Sequence, residues 1–319
     1  VPTEPSAIKV PQRILVVDDE PPIRDILKFQ LENAGFIVST AENGEEGLRQ
    51  VLEDPPDLVL LDLMIPRKDG YEVCRQIKNG YGTRHIPVII LTARAELDEK
   101  LKGLENGAND YVTKPFSMPE LLMRVRNVLA WSQSQREANP LTGLPGNVSI
   151  ERELTQRIES GGGFAFLYSD IDNFKSFNDY YGYARGDEVI KRTARILTRA
   201  VAVAGSPGDF VGHIGGDDFV VMTSLQKADA VARKVVELFD SASREWFDAE
   251  DLERGYLRIR KRSGEVMKVM SLGITLAVVT NEKTRIQHIG EVADIASELK
   301  RYGKGITGSV VVRERRRAS

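Results

Sequence analysis

Residues 212–221 read GHIGGDDFVV: two glycines, then two adjacent carboxylates, with apolar residues on both sides. A hairpin turn needs only one Asn or Asp, and a second acid beside it adds repulsion unless a cation binds there. Upstream, FAFLYSD reads as a buried strand ending in Asp170. A turn through Asp172, Asn173, Phe174 and Lys175 is expected next, then a polar helix start. DFVGHI and FVVMTSL read as the arms of a hairpin with GGDD at its tip. If that hairpin pairs beside the first strand, Asp170 meets Asp217 or Asp218 at one edge, which is tolerable around a divalent cation with oxygen ligands. Glycine lets the backbone turn sharply and approach a bulky anion. The 171–175 turn can offer consecutive amide N–H groups to phosphates at a helix start. Acids that hold a metal, and a metal that holds a triphosphate, are the parts of a nucleotidyl-transfer site.

A second set of acids lies in the first half of the chain. The apolar runs RILVVDDE, IVSTAE, LVLLDLM, VIILTA and DYVTKPF alternate with helical patterns such as IRDILKFQLENAG and GEEGLRQVLED. That alternation predicts a parallel sheet covered on both faces, with ligands gathering at the carboxyl ends of the strands. The first strand ends at Asp18 and Asp19, the third at Asp62, the fourth at Thr92, and the fifth just before Lys114. Carboxylates around Mg²⁺, with a lysine and a hydroxyl to hold phosphoryl oxygens, can accept a phosphoryl group. Helix capping would account for one such Asp, not for five suitable residues at strand ends.

The elements that position these residues need more than one core. At 319 residues the chain predicts two domains. Its 41% apolar and 29% charged residues are ordinary for a globular protein. A net charge of −3 gives no basic field for nucleic acid. The basic run Arg313, Arg315, Arg316, Arg317 reads as a solvated end. A single cysteine, Cys74, fits a reducing compartment and a buried small side chain. With no run of 18 apolar residues and no signal-peptide pattern, a cytoplasmic protein without a membrane partner is expected.

DDE, LLDLMIPRKDG, LTA and TKPF resemble the motifs of response-regulator receiver domains, over residues 12 to about 131. The resemblance implies Asp62 as phospho-acceptor, with Asp18, Asp19, Asp62 and the Met64 carbonyl around Mg²⁺. It implies Thr92, Tyr111 and Lys114 as the switch, a cis Lys114-Pro115 bond, and a sensor histidine kinase as partner. After it, MPELLMRVRNVLAWSQSQREANP predicts a helix with an apolar stripe at Leu122, Val125 and Leu129. The stripe either packs on the receiver sheet, leaving a solvated polar extension, or leads into a short coiled coil joining two protomers.

From about Asn139 to Ser319 the chain resembles the GGDEF diguanylate cyclases, on NPLTGLPGN, SDIDNFKSFND, YGYARGDEV, GGDDF and MSLGITL. The fold class implied is an α/β, doubly wound parallel-sheet receiver domain followed by an α+β nucleotidyl-cyclase-like palm domain. The expected boundaries are 10–131 for the receiver, 132–138 for a helical linker and 139–319 for the cyclase domain. The reaction implied joins two GTP into cyclic di-GMP and releases two pyrophosphates, in a homodimer. By the same resemblance Asp170, the Ile171 carbonyl and Asp217 hold Mg²⁺, and Asp217, Asp218 and Lys175 are catalytic. Asn173, Phe174 and Lys175 cradle phosphate, and Asn178 and Asp187 read guanine. A carboxylate suits guanine's N1–H and N2–H₂. Lys300 and Lys304, spaced i, i+4, are candidates to face the β- and γ-phosphates, with Arg301 a rival.

The chain departs from the family in five places. Asp218 replaces the usual Glu, His213 the usual Arg, and Asn139 the usual Asp of the opening signature. Ser206 stands where the inhibitory product site needs an Arg, leaving Asp209 alone. Residues 240–270 are longer than usual and read as a helix end plus a strand pair turning at Ser263-Gly264. These departures motivate an alternative to a phosphorylation-regulated cyclase: a degenerate domain signalling by protein contact or GTP binding without turnover. A DNA-binding regulator lacks a recognition helix here.

Overall fold

The structure is a computed structural model, described here for residues 11–93, 107–260, 266–269, 272–282 and 286–314. It divides between Arg136 and Glu137 into two compact units.

In the first unit the strands are β1 (Arg13–Val17), β2 (Ile37–Ala41), β3 (Leu58–Asp62), β4 (Val88–Ala93) and β5 (Asp110–Lys114). They pair in parallel in the order β2-β1-β3-β4-β5. Strand periodicity sorts the buried residues into two cores. Ile14, Val16, Leu58, Leu60, Ile89 and Leu91 face helices α1 (Pro21–Asn33) and the long helix Met118–Glu137. Leu15, Val17, Val59, Leu61 and Ile90 face α2 (Gly44–Glu53) and α3 (Gly70–Asn79), where Cys74 is fully buried. Burial pushes that thiol up to about 11, as an inert core residue requires. The order reverses at β1, whose neighbours are β2 and β3, so a crevice opens at the carboxyl ends of β1 and β3.

The long helix, α4, carries the apolar stripe as predicted, turned slightly. Leu121, Val125, Val128 and Leu129 are buried in the first core and Leu122 is only partly buried. Beyond Trp131, Gln133–Arg136 are exposed. The stripe is thus spent on its own sheet.

In the second unit β6 (Ala165–Asp172), β7 (Phe210–Gly215), β8 (Asp218–Thr223), β11 (Gly273–Thr280) and β12 (Val310–Arg313) form one sheet. Its order is β12-β11-β6-β8-β7, antiparallel except between β11 and β12. One face, with Ala165, Leu167 and Ile171, packs on α6 (Phe174–Tyr181), α7 (Tyr183–Ala204) and α8 (Ala228–Ser243). The other face, with Phe166 and Tyr168, packs on α5 (Asn147–Glu159) and α10 (Ile289–Gly303). By alternation Asp170 belongs to the α10 face.

Two expectations need correction. The strand does not stop at Asp170 but runs to Asp172, and the expected four-residue turn shrinks to Asn173, which alone takes a left-handed backbone (φ 64°). Phe174 and Lys175 already belong to α6. Pairing with β11 through Gly273 opposite Asp172 extends the strand, a tertiary effect invisible locally. The long 240–270 segment does hold a strand pair, β9 (Leu257–Arg260) with β10 (Val266–Val269), but also a 3-10 turn at Arg244–Trp246 and α9 (Ala249–Arg254). α9 is too short to show periodicity, though Asp248 before it and Gly255 (φ 76°) after it stand where start and stop signals do. The Ser263-Gly264 turn lies outside the described residues.

Candidate functional site

The hairpin β7–β8 sets the second unit's acids. Gly216 turns at φ 59°, a backbone that side chains resist, and Gly215 stands at φ 153°. Asp218 then begins β8 directly opposite Asp170 on β6, while Thr275 of β11 lies opposite Asp170 on the other side. Carboxylate oxygens of Asp170, Asp217 and Asp218 lie within 4.8 Å of one another. Burial, with the charge of Asp170 next, pushes the Asp217 carboxyl above its ordinary range. Burial likewise raises Asp172, which accepts the Thr275 hydroxyl at 2.8 Å.

Lys300 of α10 and Lys304, just past its end, answer these acids. Lys300 Nζ stands 2.7 Å from Asp170 Oδ1 and donates to Asp218 Oδ1 at 2.6 Å. Lys304 Nζ stands 2.9 Å from Asp170 Oδ2, and Arg301 is exposed. Burial opposes charge on Lys300, but Asp170 and Asp218 more than offset it and hold its pKa above the ordinary lysine value. An all-oxygen set of three clustered carboxylates fits Mg²⁺.

Asn173 is the N-cap of α6 and its side chain makes no capping bond, so the first amides of the helix, Phe174 and Lys175 among them, have no partner within it. Lys175 is exposed. Asn178 sits one turn on, its carboxamide against Gly186: a Cβ at 186 would lie 1.8 Å from Asn178 Oδ1. Among the described residues that oxygen is buried with no hydrogen-bond partner. Asp187, next to Gly186, is exposed.

Thr142 joins the departures Asn139 and His213. Asn139 Oδ1 accepts the N–H of Leu141 at 2.9 Å and of Thr142 at 3.3 Å. Thr142 Oγ1 is 3.0 Å from His213 Nδ1, and His213 Nε2 is 3.0 Å from the Gly216 carbonyl oxygen. A carbonyl only accepts, so Nε2 carries the proton and Nδ1 accepts from Thr142. His213 is 1% exposed and stacked on Phe219 at 4.2 Å; burial lowers its pKa and keeps it neutral. The usual Arg and Asp are thereby replaced by an uncharged relay that still pins the glycine turn. Asp209 is consumed locally: its Oδ2 accepts the Ser206 N–H at 2.9 Å and the Thr223 hydroxyl at 2.8 Å.

In the first unit Lys114 Nζ donates to Asp18 Oδ2 at 2.8 Å and Asp62 Oδ2 at 2.6 Å. Asp18 is 0% and Asp62 7% exposed. Burial pushes Asp18 up against the pull of Lys114; burial works against Lys114, but the two carboxylates hold its pKa above the ordinary value. Glu20 completes a cluster with Asp18 and Asp62 within 4.8 Å, while Asp19 is exposed outside it. Glu20 was available as the third acid of DDE but lies beyond the strand end. The three acids again fit Mg²⁺. The Met64 N–H donates to Asp62 Oδ1 at 3.2 Å, and the Met64 side chain is exposed. Thr92 is buried at the end of β4, and Tyr111 is half-buried on β5. Lys114-Pro115 is cis.

Residues 137–304 match the family model described as diguanylate cyclase, GGDEF domain, and residues 14–126 match the response regulator receiver domain. The chain belongs to the GGDEF family and carries a receiver domain. Among solved structures, a response regulator from Chloroflexus aurantiacus J-10-fl is 39% identical, covering 38% of this chain and 98% of that one, at a TM-score of 0.37. The receiver domain of a histidine kinase from Syntrophus aciditrophicus is 36% identical, covering 38% and 91%, at 0.36. The order of the two GGDEF-protein domains, receiver first, follows the two compact units. Among the described residues no helix is long and apolar enough to cross a membrane.

Proposed function

We propose that this GGDEF protein is a diguanylate cyclase controlled by phosphorylation of its receiver domain. The observation that carries the proposal is the register of Asp170 against Asp218, with Asp217 at the turn and all three carboxylates within 4.8 Å. Asp170, Asp217 and the Ile171 carbonyl would hold Mg²⁺, which supplies charge to neutralise the triphosphate and its leaving group. The amides at Asn173, Phe174 and Lys175 bind phosphate, and Lys300 and Lys304, now on the carboxylates, are within reach to share phosphate charge. Asn178 and Asp187 hold the guanine edge. The 3′-oxygen of one GTP attacks the α-phosphorus of another, the α–β bridging bond breaks and pyrophosphate leaves. The hydroxyl proton passes to a carboxylate at the hairpin apex, Asp218 or Asp217. Each domain offers one such site, so two chains must face each other, and the active form is a homodimer.

In the receiver, Asp62 accepts the phosphoryl group from a sensor kinase; Asp18, Glu20, Asp62 and the Met64 carbonyl would hold Mg²⁺, and Asp19 would join them by turning in from its exposed position. Lys114, already 2.6 Å from Asp62, and Thr92 then hold the phosphoryl oxygens, and Tyr111 follows Thr92. The Thr142–His213 relay supports turnover over a silent domain, because it keeps the hairpin turn pinned despite the lost charges.

The test is incubation with GTP and Mg²⁺, with and without acyl phosphate, and identification of the nucleotide made. Cyclic di-GMP, formed faster after acyl phosphate, is expected. GTP bound in calorimetry yet unconverted at micromolar protein would leave the degenerate alternative.

A further inference from the structure

The segment after α8 lies against the end of the molecule where Asn178 and Asp187 sit. Trp246, 4% exposed, packs edge-on against Phe239 at 5.1 Å and anchors the start of the segment. Leu257, 1% exposed, anchors its end in the same core. Between the anchors, α9 presents Asp251, a carboxylate only 6% exposed. Its Oδ2 accepts the Tyr181 hydroxyl at 2.5 Å; its Oδ1 accepts the Tyr180 hydroxyl at 3.1 Å and Arg254 Nη1 at 2.8 Å. The Asp248 N–H donates to the Tyr181 hydroxyl at 3.2 Å, and Asp248 Oδ1 accepts Arg185 Nη2 at 2.8 Å. Arg185 lies over the Tyr181 ring at 4.0 Å. Phe247 meets Phe177 edge-on at 5.6 Å.

These contacts share a target. They fall on Phe177, Tyr180 and Tyr181 in α6 and on Arg185 in the first turn of α7. The two helices join at Gly182, φ 86°, which by itself fixes little. Yet Asn178 rides on α6 and Asp187 on α7, and the Asn178 carboxamide is packed against Gly186. The angle between the helices therefore sets the spacing of the two groups proposed to read guanine. The Asn178 oxygen is buried against Gly186 with no hydrogen-bond partner among the described residues, so its position depends on how the two helices are held together. A segment that served core stability alone would need Trp246 and Leu257, not a buried carboxylate gripping two tyrosines at the helix joint.

We propose that residues 244–257 are a brace that sets base selectivity, with Asp251 the positioning residue that holds α6 and α7 at the guanine-reading angle. The inference rests on the proposed roles of Asn178 and Asp187 and adds the element that fixes them. Asp251 touches no substrate; it acts through Tyr180 and Tyr181.

The test compares wild-type, Asp251→Ala and the Tyr180→Phe/Tyr181→Phe pair, all full-length. Calorimetry with GTP, ITP and ATP in Mg²⁺ gives the affinities, and circular dichroism checks the fold. Both variants are expected to bind GTP about tenfold more weakly, as loss of charge-assisted positioning bonds implies, with ATP affinity unchanged. The GTP-over-ATP ratio then narrows, and in turnover KM for GTP rises while kcat stays within about twofold. Equal losses for GTP and ATP, or an undiminished ratio in a folded variant, overturn the brace and leave the cyclase proposal standing. If Asp251→Ala fails to fold, the tyrosine pair, which keeps the carboxylate and both rings, decides the matter alone. A wild-type protein that binds ATP as tightly as GTP overturns both the guanine reading and the brace.

Discussion

Asp170 is 2% exposed and bears two lysines, an arrangement whose desolvation is tolerable only because each oxygen has a cation beside it. Asp170→Asn keeps the shape and removes the charge. Turnover of GTP should fall on the order of a hundredfold or more, measured as cyclic di-GMP formed per unit time, with the fold retained by circular dichroism. Asp218 poses the opposite question. Its Cβ is fixed by the register opposite Asp170, so its carboxylate stops one methylene short of the family's usual reach. Asp218→Glu should raise kcat, by up to about a hundredfold if misplacement limits the rate. An unchanged kcat would show that the shorter side chain is not what limits this site.

At the scale of elements, the hairpin is held by the neutral relay from Thr142 through His213 to Gly216. Thr142→Val leaves His213 Nδ1 buried without a donor, and should cost about 1–3 kcal/mol in denaturant unfolding of the second unit. His213 also gives the unit a pH signature. Its folded pKa lies below the ordinary 6.5, because burial penalises the imidazolium. The unfolded chain therefore takes up that proton first as pH falls. The His213 contribution is complete above about pH 6.5 and declines below it. Between about pH 7.5 and about pH 5.5, wild-type should lose more stability than His213→Gln, read from urea midpoints.

Much of this was legible in the sequence, for a physical reason. Apolar runs that stop at acids mark the sheet edges, so Asp18, Asp62 and the GGDD tip could be placed without coordinates, and Asp170 to within two residues of its strand end. The i, i+4 spacing put Lys300 and Lys304 on one face, and both reach Asp170. What escaped was made by long-range side-chain bonds. Thr142 and His213 are 71 positions apart, as are Tyr180 and Asp251, and no local period announces such pairs. The end of β6 escaped because its last pairs depend on β11, some hundred residues later.

At the scale of the whole molecule, the proposed function couples a phospho-acceptor in one unit to a half-site in the other. Asp62→Asn should abolish stimulation by acyl phosphate while leaving the unstimulated rate within about twofold, because Asp62 has no part in GTP chemistry. Specific activity should rise with protein concentration, as a two-chain active site requires, and analytical ultracentrifugation should show dimer over the same range. Since Asp209 is tied to Ser206 and Thr223, added cyclic di-GMP should inhibit only in competition with GTP. Underneath these predictions lies one claim, that Asp170 and the hairpin apex share a divalent cation. The direct measurement is an anomalous map from crystals grown with Mn²⁺ and a nonhydrolysable GTP analogue. The expected result is a peak within coordinating distance of both Asp170 and Asp217, with Lys300 moved off the carboxylates toward phosphate. Bound analogue with no peak there, and Lys300 still bridging Asp170 and Asp218, would contradict it.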